Sequence, residues 1–279
     1  MMTVVRACRR GMVVSAIFFA LVNARAFGPA AVQSPPTPPS AALRRLPDGH
    51  PDFQGLWMKS AGGFQGLFIG SLDGTNLAAG GRGGRGAGPQ YEYTREAEAE
   101  RRDRLQRGYE DPEARCHLPG VPRALDQPAG LYPVQIVQDE KYVALLHEAM
   151  HDVRIIPTDN SRHPKNYWAW DGDSRGRWEG DTLVVDVSNF NGRTWLDMAA
   201  NFVDENEHVV ERFTLVDADT ILYEATVTDP TVFVKPVQMR FTLKRVPPEQ
   251  QILEYSCLEG ERSLQHYTEE DGGKKRRQK

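Results

Sequence analysis

Residues 209–228 read Val209-Val-Glu-Arg-Phe-Thr-Leu-Val-Asp-Ala-Asp-Thr-Ile-Leu-Tyr-Glu-Ala-Thr-Val-Thr228, and their pattern decides the fold. Side chains alternate between the two faces of a strand. Val209 to Val216 therefore puts Glu211, Phe213 and Leu215 on one face, and Ile221 to Thr228 puts Tyr223, Ala225 and Val227 on one face. Asp217-Ala218-Asp219 between them is a turn. The same period continues outward. Thr182 to Val187 is rich in β-branched residues, Val237 to Leu243 aligns Met239, Phe241 and Leu243, and after Pro247-Pro248 the run Gln251 to Cys257 aligns Leu253, Tyr255 and Cys257. Val134 to Gln138, Asp139-Glu140-Lys141 and Tyr142 onward read as a hairpin, with Val153 to Ile156 as a further strand. Short alternating strands joined by turns predict an antiparallel up-and-down meander. Helix-patterned crossovers are missing, which argues against a parallel sheet. Closing a meander removes its exposed edges. The expectation is a mainly β, lipocalin- or calycin-like barrel, with an open sandwich as the alternative. One polar helix is expected over 94–107, capped by Thr94 and ended by Gly108.

Upstream of this domain the chain reads as a targeting segment. Arg6, Arg9 and Arg10 precede an apolar run from Gly11 to Val22, and Ala24-Arg25-Ala26 offers an A-x-A cleavage site. That is the layout of a secretory signal peptide over residues 1–26. The run is short for a membrane span, which needs about 20 residues. The expected location is periplasmic or secreted, with no transmembrane segment after cleavage. Residues 27–45 form a Pro-rich linker and 46–268 one domain. Within it, 73–90 is a Gly-rich loop whose Gly80–Gly88 stretch lacks the Lys-Ser/Thr of a phosphate-binding loop. Residues 269–279 form a basic tail.

Cleavage changes two counts. Loss of four arginines takes the formal net charge from −4 to −8. An acidic body argues against nucleic acid as a partner. Loss of Cys8 leaves Cys116 and Cys257. An even pair in an oxidising compartment reads as a disulfide, with two buried free thiols as the alternative.

Three constellations could carry chemistry. His147-Glu148-Ala149-Met150-His151 matches H-E-x-x-H, which on a helix places two imidazoles on a zinc ion and a glutamate as general base. The strand pattern of Val153 to Ile156 follows too closely for that helix, and Arg154 and Pro157 occupy the positions where a metzincin continuation needs Gly and His. The expectation is therefore no metal and no cofactor, with a zinc hydrolase as the alternative. The second constellation runs from Trp168 to Asp181. Gly172, Gly180 and Trp178 suit turns and a core plug, whereas Asp173 and Arg177 exceed what a turn requires, and Trp170 and Trp178 suit the rim of an apolar pocket. The third is Glu207 to Phe213. A carboxylate within an apolar strand is costly unless paired. An inward Glu211 thus needs a partner, for which Arg154, Arg212 and Arg240 are candidates; the alternative is a solvated, salt-bridged strand face.

Together these residues predict a polar patch at the barrel mouth or interior. His151, Asp173, Arg177 and Glu211 are the candidate acid–base groups, and Arg154, Trp170, Trp178, His208 and Arg212 are candidate ligand contacts. The expected partner is a small apolar or aromatic molecule, either transformed by His/carboxylate catalysis or simply carried.

The chain also resembles an uncharacterised family of exported bacterial proteins. The resemblance rests on Pro47 to Trp57, Cys116 with Gly120 to Arg123, Glu148 with His151 to Arg154, Asp173 to Val185 including Gly-Arg-Trp-Glu-Gly-Asp-Thr-Leu-Val-Val, Asn189-Phe190 and Val210 to Phe213. It implies a β-rich domain and supplies no reaction.

Overall fold

The computed structural model describes residues 43–60, 91–127, 131–257 and 259. The signal segment, nearly all of the linker, the Gly-rich loop and the basic tail lie outside the described residues. Nine antiparallel strands form one sheet in the order β4-β3-β2-β1-β9-β8-β7-β6-β5. They are β1 (Gly55–Lys59), β2 (Val134–Gln138), β3 (Tyr142–His147), β4 (Val153–Pro157), β5 (Asp173–Glu179), β6 (Thr182–Ser188), β7 (His208–Asp217), β8 (Thr220–Thr228) and β9 (Val237–Arg245). Strands consecutive in sequence are hydrogen-bonded neighbours except β4 and β5, which stand at the two ends of the order; β1 also pairs with β9. The sheet curls into a nearly closed barrel. It is the up-and-down meander that the alternation predicts.

The pleat sorts residues as expected. Val209, Phe213 and Leu215 of β7, Tyr223, Ala225 and Val227 of β8, and Val237, Met239, Phe241 and Leu243 of β9 are all buried. Burying such side chains supplies the main driving force for closure. The helix is α1 (Arg95–Leu105), with the Thr94 side chain accepting from the Ala97 N–H at 3.2 Å. Acids in its first turn and arginines in its last suit the helix dipole. Only Ala97 is buried, so α1 rides on the barrel rather than in its core.

The seam between β4 and β5 has no hydrogen-bonded ladder among the described residues. Side chains close it. Gly176 of β5 lies so near β4 that a Cβ there would stand 2.9 Å from Ile156 Cγ2 and 3.1 Å from Thr158 Cγ2. Arg154 Nε donates across it to Ser174 Oγ at 2.8 Å.

One expectation needs correction. Gln251 to Cys257 has strand alternation but joins no sheet. β9 already lies between β8 and β1, so no edge is left beside it. Side chains bind this segment instead. Glu148 accepts from the Leu253 N–H and His151 Nε2 from the Tyr255 N–H, each at 2.8 Å. Cys116 and Cys257 stand at disulfide distance, with Cα atoms 5.8 Å apart.

Candidate functional site

The barrel has two unlike ends. At one, β1, β3, β6 and β8 finish and β2, β4, β5, β7 and β9 begin. The connections 91–127, 190–207 and 229–236 cap it. Thr94 bonds to the Val232 carbonyl at 2.9 Å, and the Arg104 guanidinium lies 4.2 Å from the Phe202 ring centre. The buried charged groups concentrate beneath this cap. Lys59, Asp111, Arg123, Asp126, His147, Asp152, Arg154, Glu207, Glu211 and Asp229 are each at most 9% exposed.

Glu211 points inward from β7 and is fully buried. Arg154 of β4 grips it with both terminal nitrogens, Nη1 to Oε1 at 3.0 Å and Nη2 to Oε2. The Tyr223 hydroxyl donates to Oε1 at 2.8 Å. Of the sequence-level candidates for a partner, Arg154 is the one that meets Glu211. Arg212 and Arg240 point outward, to Glu179 and Glu224. The network ties β4, β5, β7 and β8 together, and it leaves neither charge unpaired, as burial demands.

Beside it lies a carboxyl pair. Burial, and then the neighbouring Asp171, push the Asp152 carboxyl up to about 8. Burial likewise raises Asp171. Burial and the Arg154 charge lower His147 to about 3, so its imidazole is neutral at physiological pH. Burial also raises Asp126 to about 6 despite its ion pair with Lys59, and it raises Glu207 strongly, with Asp229 and Asp204 adding repulsion. His147 Nε2, Asp152 Oδ2 and both Glu207 oxygens have no hydrogen-bond partner among the described residues. Perturbed titratable groups clustered in this way mark a candidate site.

Above this layer a cavity of about 340 Å³ opens at the capped end. Its polar side is Asp111, Glu113, Arg123 and Gln127; Tyr132, Met150, Met198 and Tyr255 form most of the apolar side. Tyr132 and Tyr255 meet edge to face, centroids 5.4 Å apart. The Cys116–Cys257 pair fastens the Tyr255 wall to the segment that carries Asp111 and Glu113.

The expected four-residue patch does not assemble. Glu211 lies inside the barrel. Asp173 and Arg177 alternate with inward Ser174 and Gly176, so they face outward. Arg177 is half exposed and pairs with Glu179, which also holds Arg212. Asp173 belongs to an outer chain. His163 Nδ1 is 2.7 Å from Asp173, His163 Nε2 is 2.8 Å from Asp186, and His208 Nε2 is 3.0 Å from the other Asp186 oxygen. His151 is exposed at the capped end, its Nε2 occupied by Tyr255. A one-residue step reverses a strand's face, which is why an acid next to apolar neighbours looks alike inside and out.

The H-E-x-x-H segment is no helix. His147 ends β3 with its side chain inward, and Ala149–His151 form a single 3-10 turn. The two imidazoles therefore do not share a helical face, and the local context that a zinc hydrolase of this type needs is missing. Of the aromatic candidates, Trp178 stacks on His50 at 4.5 Å near the opposite end, and Trp170 stacks on His117 at 5.0 Å. Neither lines the cavity described above. Asp111, Glu113, Arg123 and Tyr132 were not read as site residues from sequence, because each sits in an irregular connection whose pattern announces no cavity, and Tyr255 was read only as part of a strand.

Fold and site together define an antiparallel up-and-down β-barrel with a charged, capped end and a small cavity there. No protein-family model matches the chain, and neither a curated protein nor a solved structure does. Among the described residues, no helix is long and apolar enough to cross a membrane.

Proposed function

We propose that this protein is an exported barrel, periplasmic or secreted, that binds a small molecule with an apolar or aromatic body in the cavity at its capped end. The observation that carries this reading is the cavity itself. Its volume of about 340 Å³ falls in the range of small-ligand sites, and it sets tyrosine and methionine walls against a few fixed polar groups. Tyr132 and Tyr255 supply broad, rigid contact area, and Met150 and Met198 supply adaptable surface. Carriage is favoured over turnover. The perturbed acids Asp152 and Glu207 are sealed under the cap, and Glu211 is fully committed to Arg154 and Tyr223. Export rests on the Arg6-Arg9-Arg10, apolar-run and Ala24-Arg25-Ala26 sequence, and on a cysteine pair suited to an oxidising compartment.

Two measurements test the proposal. Tyrosine fluorescence titrated with small aromatic compounds should saturate for the native protein and not for Ala114→Trp, which fills the cavity from an exposed position. Equal titration of both proteins would refute the location. The intact mass of protein recovered from the periplasm should lack residues 1–26; a mass retaining them would refute export with cleavage.

A further inference from the structure

Resting on that reading, we infer that the cavity's ligand is a monocation, an amine joined to an aromatic or apolar body. The inference comes from what the single guanidinium at the site is already doing. Arg123 is 4% exposed. Its Nη1 donates to Asp111 Oδ1 at 2.8 Å and reaches the Trp195 carbonyl at 3.4 Å. Its Nη2 donates to Asp111 Oδ2 at 2.9 Å and pairs with Glu113 Oε2 at 2.5 Å. Each terminal nitrogen carries two hydrogens, so these four contacts use every terminal donor. A carboxylate or phosphate entering the cavity would meet no free N–H on either terminal nitrogen of Arg123. It would also face two carboxylates that are already there.

A cation meets the opposite situation. Asp111 and Glu113 outnumber Arg123, which leaves the lining with a formal excess of one negative charge. Each carboxylate has about four acceptor positions. Glu113 Oε1 has one filled by Gln127 Nε2 at 2.8 Å. Glu113 is also less deeply buried than Asp111, with 17% of its side chain exposed against 8%, so it is the acid a ligand reaches. Asp197 adds a further negative charge acting on Arg123. Across the cavity stand two tyrosine rings, and an aromatic face attracts an ammonium group. A carboxylate on one side and rings on the other form a site for an arylalkylamine, with the ammonium at Glu113 and the ring between Tyr132, Met198 and Tyr255.

The test uses three probes of one shape, namely 2-phenylethylamine, 2-phenylethanol and phenylacetate, titrated calorimetrically at pH 7. The amine should bind about tenfold or more tighter than the alcohol, and the acid should bind more weakly than both. Glu113→Gln keeps the bond to Gln127 in shape and should reduce the amine to the alcohol's affinity. Should that variant unfold, the salt dependence of amine binding to the native protein replaces it: affinity should fall as ionic strength rises, while that of the alcohol stays level. An alcohol that binds as tightly as the amine, or an acid that binds tighter, overturns the cation assignment and leaves the cavity reading standing. If no probe binds, both fall together.

Discussion

Arg154 on β4 and Glu211 on β7 meet inside the barrel as a two-pronged ion pair, far apart in sequence and almost completely removed from water. The pair lies beside the seam where no backbone ladder joins β4 to β5, and Arg154 reaches across that seam to Ser174. One ion pair thus does part of the work that main-chain hydrogen bonds do elsewhere in the ring.

Arg154→Met leaves Glu211 buried without its counter-charge. Urea unfolding should show a loss of about 3–5 kcal/mol. The double variant Arg154→Met with Glu211→Leu removes both charges and should regain at least half of that loss. A double variant no more stable than Arg154→Met would show that packing, not the uncompensated charge, sets the cost.

Gly176 is the second closure of the seam. Gly176→Val should destabilise by about 1–3 kcal/mol through overpacking against Ile156. Adding Ile156→Ala should restore part of it by making room. Amide exchange in β4 and β5 should quicken in the single variant more than in β8, which has ladders on both sides. Uniform quickening across all strands would contradict the seam argument.

The buried acids predict an unusual pH profile. The folded value of Asp152, about 8, lies above the ordinary 3.8. The native state therefore holds this proton where the unfolded chain releases it, so this contribution is full below about 4 and is lost as pH rises towards 8. His147 runs the other way. Its folded value of about 3 lies below 6.5, so its contribution is full above 6.5 and is lost as pH falls towards 3. Thermal midpoints should peak at mildly acidic pH and decline on the alkaline side. Asp152→Asn, which carries no charge to desolvate or to repel Asp171, should raise the midpoint at pH 8.5 by about 2–4 °C per kcal/mol recovered and change it little at pH 5. An identical shift at both values would rule out Asp152 as the source.

The Cys116–Cys257 pair closes a loop of 141 residues and holds one cavity wall to the other. Cys257→Ser should lower stability by about 2–5 kcal/mol. It should also weaken ligand binding, since Tyr255 loses its tether. Calorimetry on protein kept free of reductant checks both.

Much of the barrel is legible in the chain. The alternation in β6 to β9 and the Thr94 cap are local signals, and the structure follows both; Cys116 and Cys257 stand at disulfide distance. β5 is harder to read. Its inward positions are Ser174, Gly176 and Trp178, only one of them large and apolar, so the strand looks like a charged turn until Ile156 is seen filling the space at Gly176. Gln251 to Cys257 fails in the opposite sense. Its alternation is good, but a strand needs an unpaired neighbour, and β9 has none to offer.

The site shows the same division more sharply. Composition and spacing said that an inward Glu211 must have a basic partner, because an isolated buried charge is prohibitively costly anywhere in a fold. Which arginine serves, and whether Glu211 faces inward at all, depends on strand register and on the ring closing through β4 and β5. The cavity depends on more still. Asp111, Arg123, Tyr132 and Met198 come from connections without period, and Tyr255 from a segment whose alternation predicts a strand; they are brought together only when the cap settles on the barrel end and Cys257 reaches Cys116. Alternation is written locally, since each residue's face follows from its neighbours. Convergence is not, since it is set by contacts between residues that share nothing in sequence except the same end of the barrel.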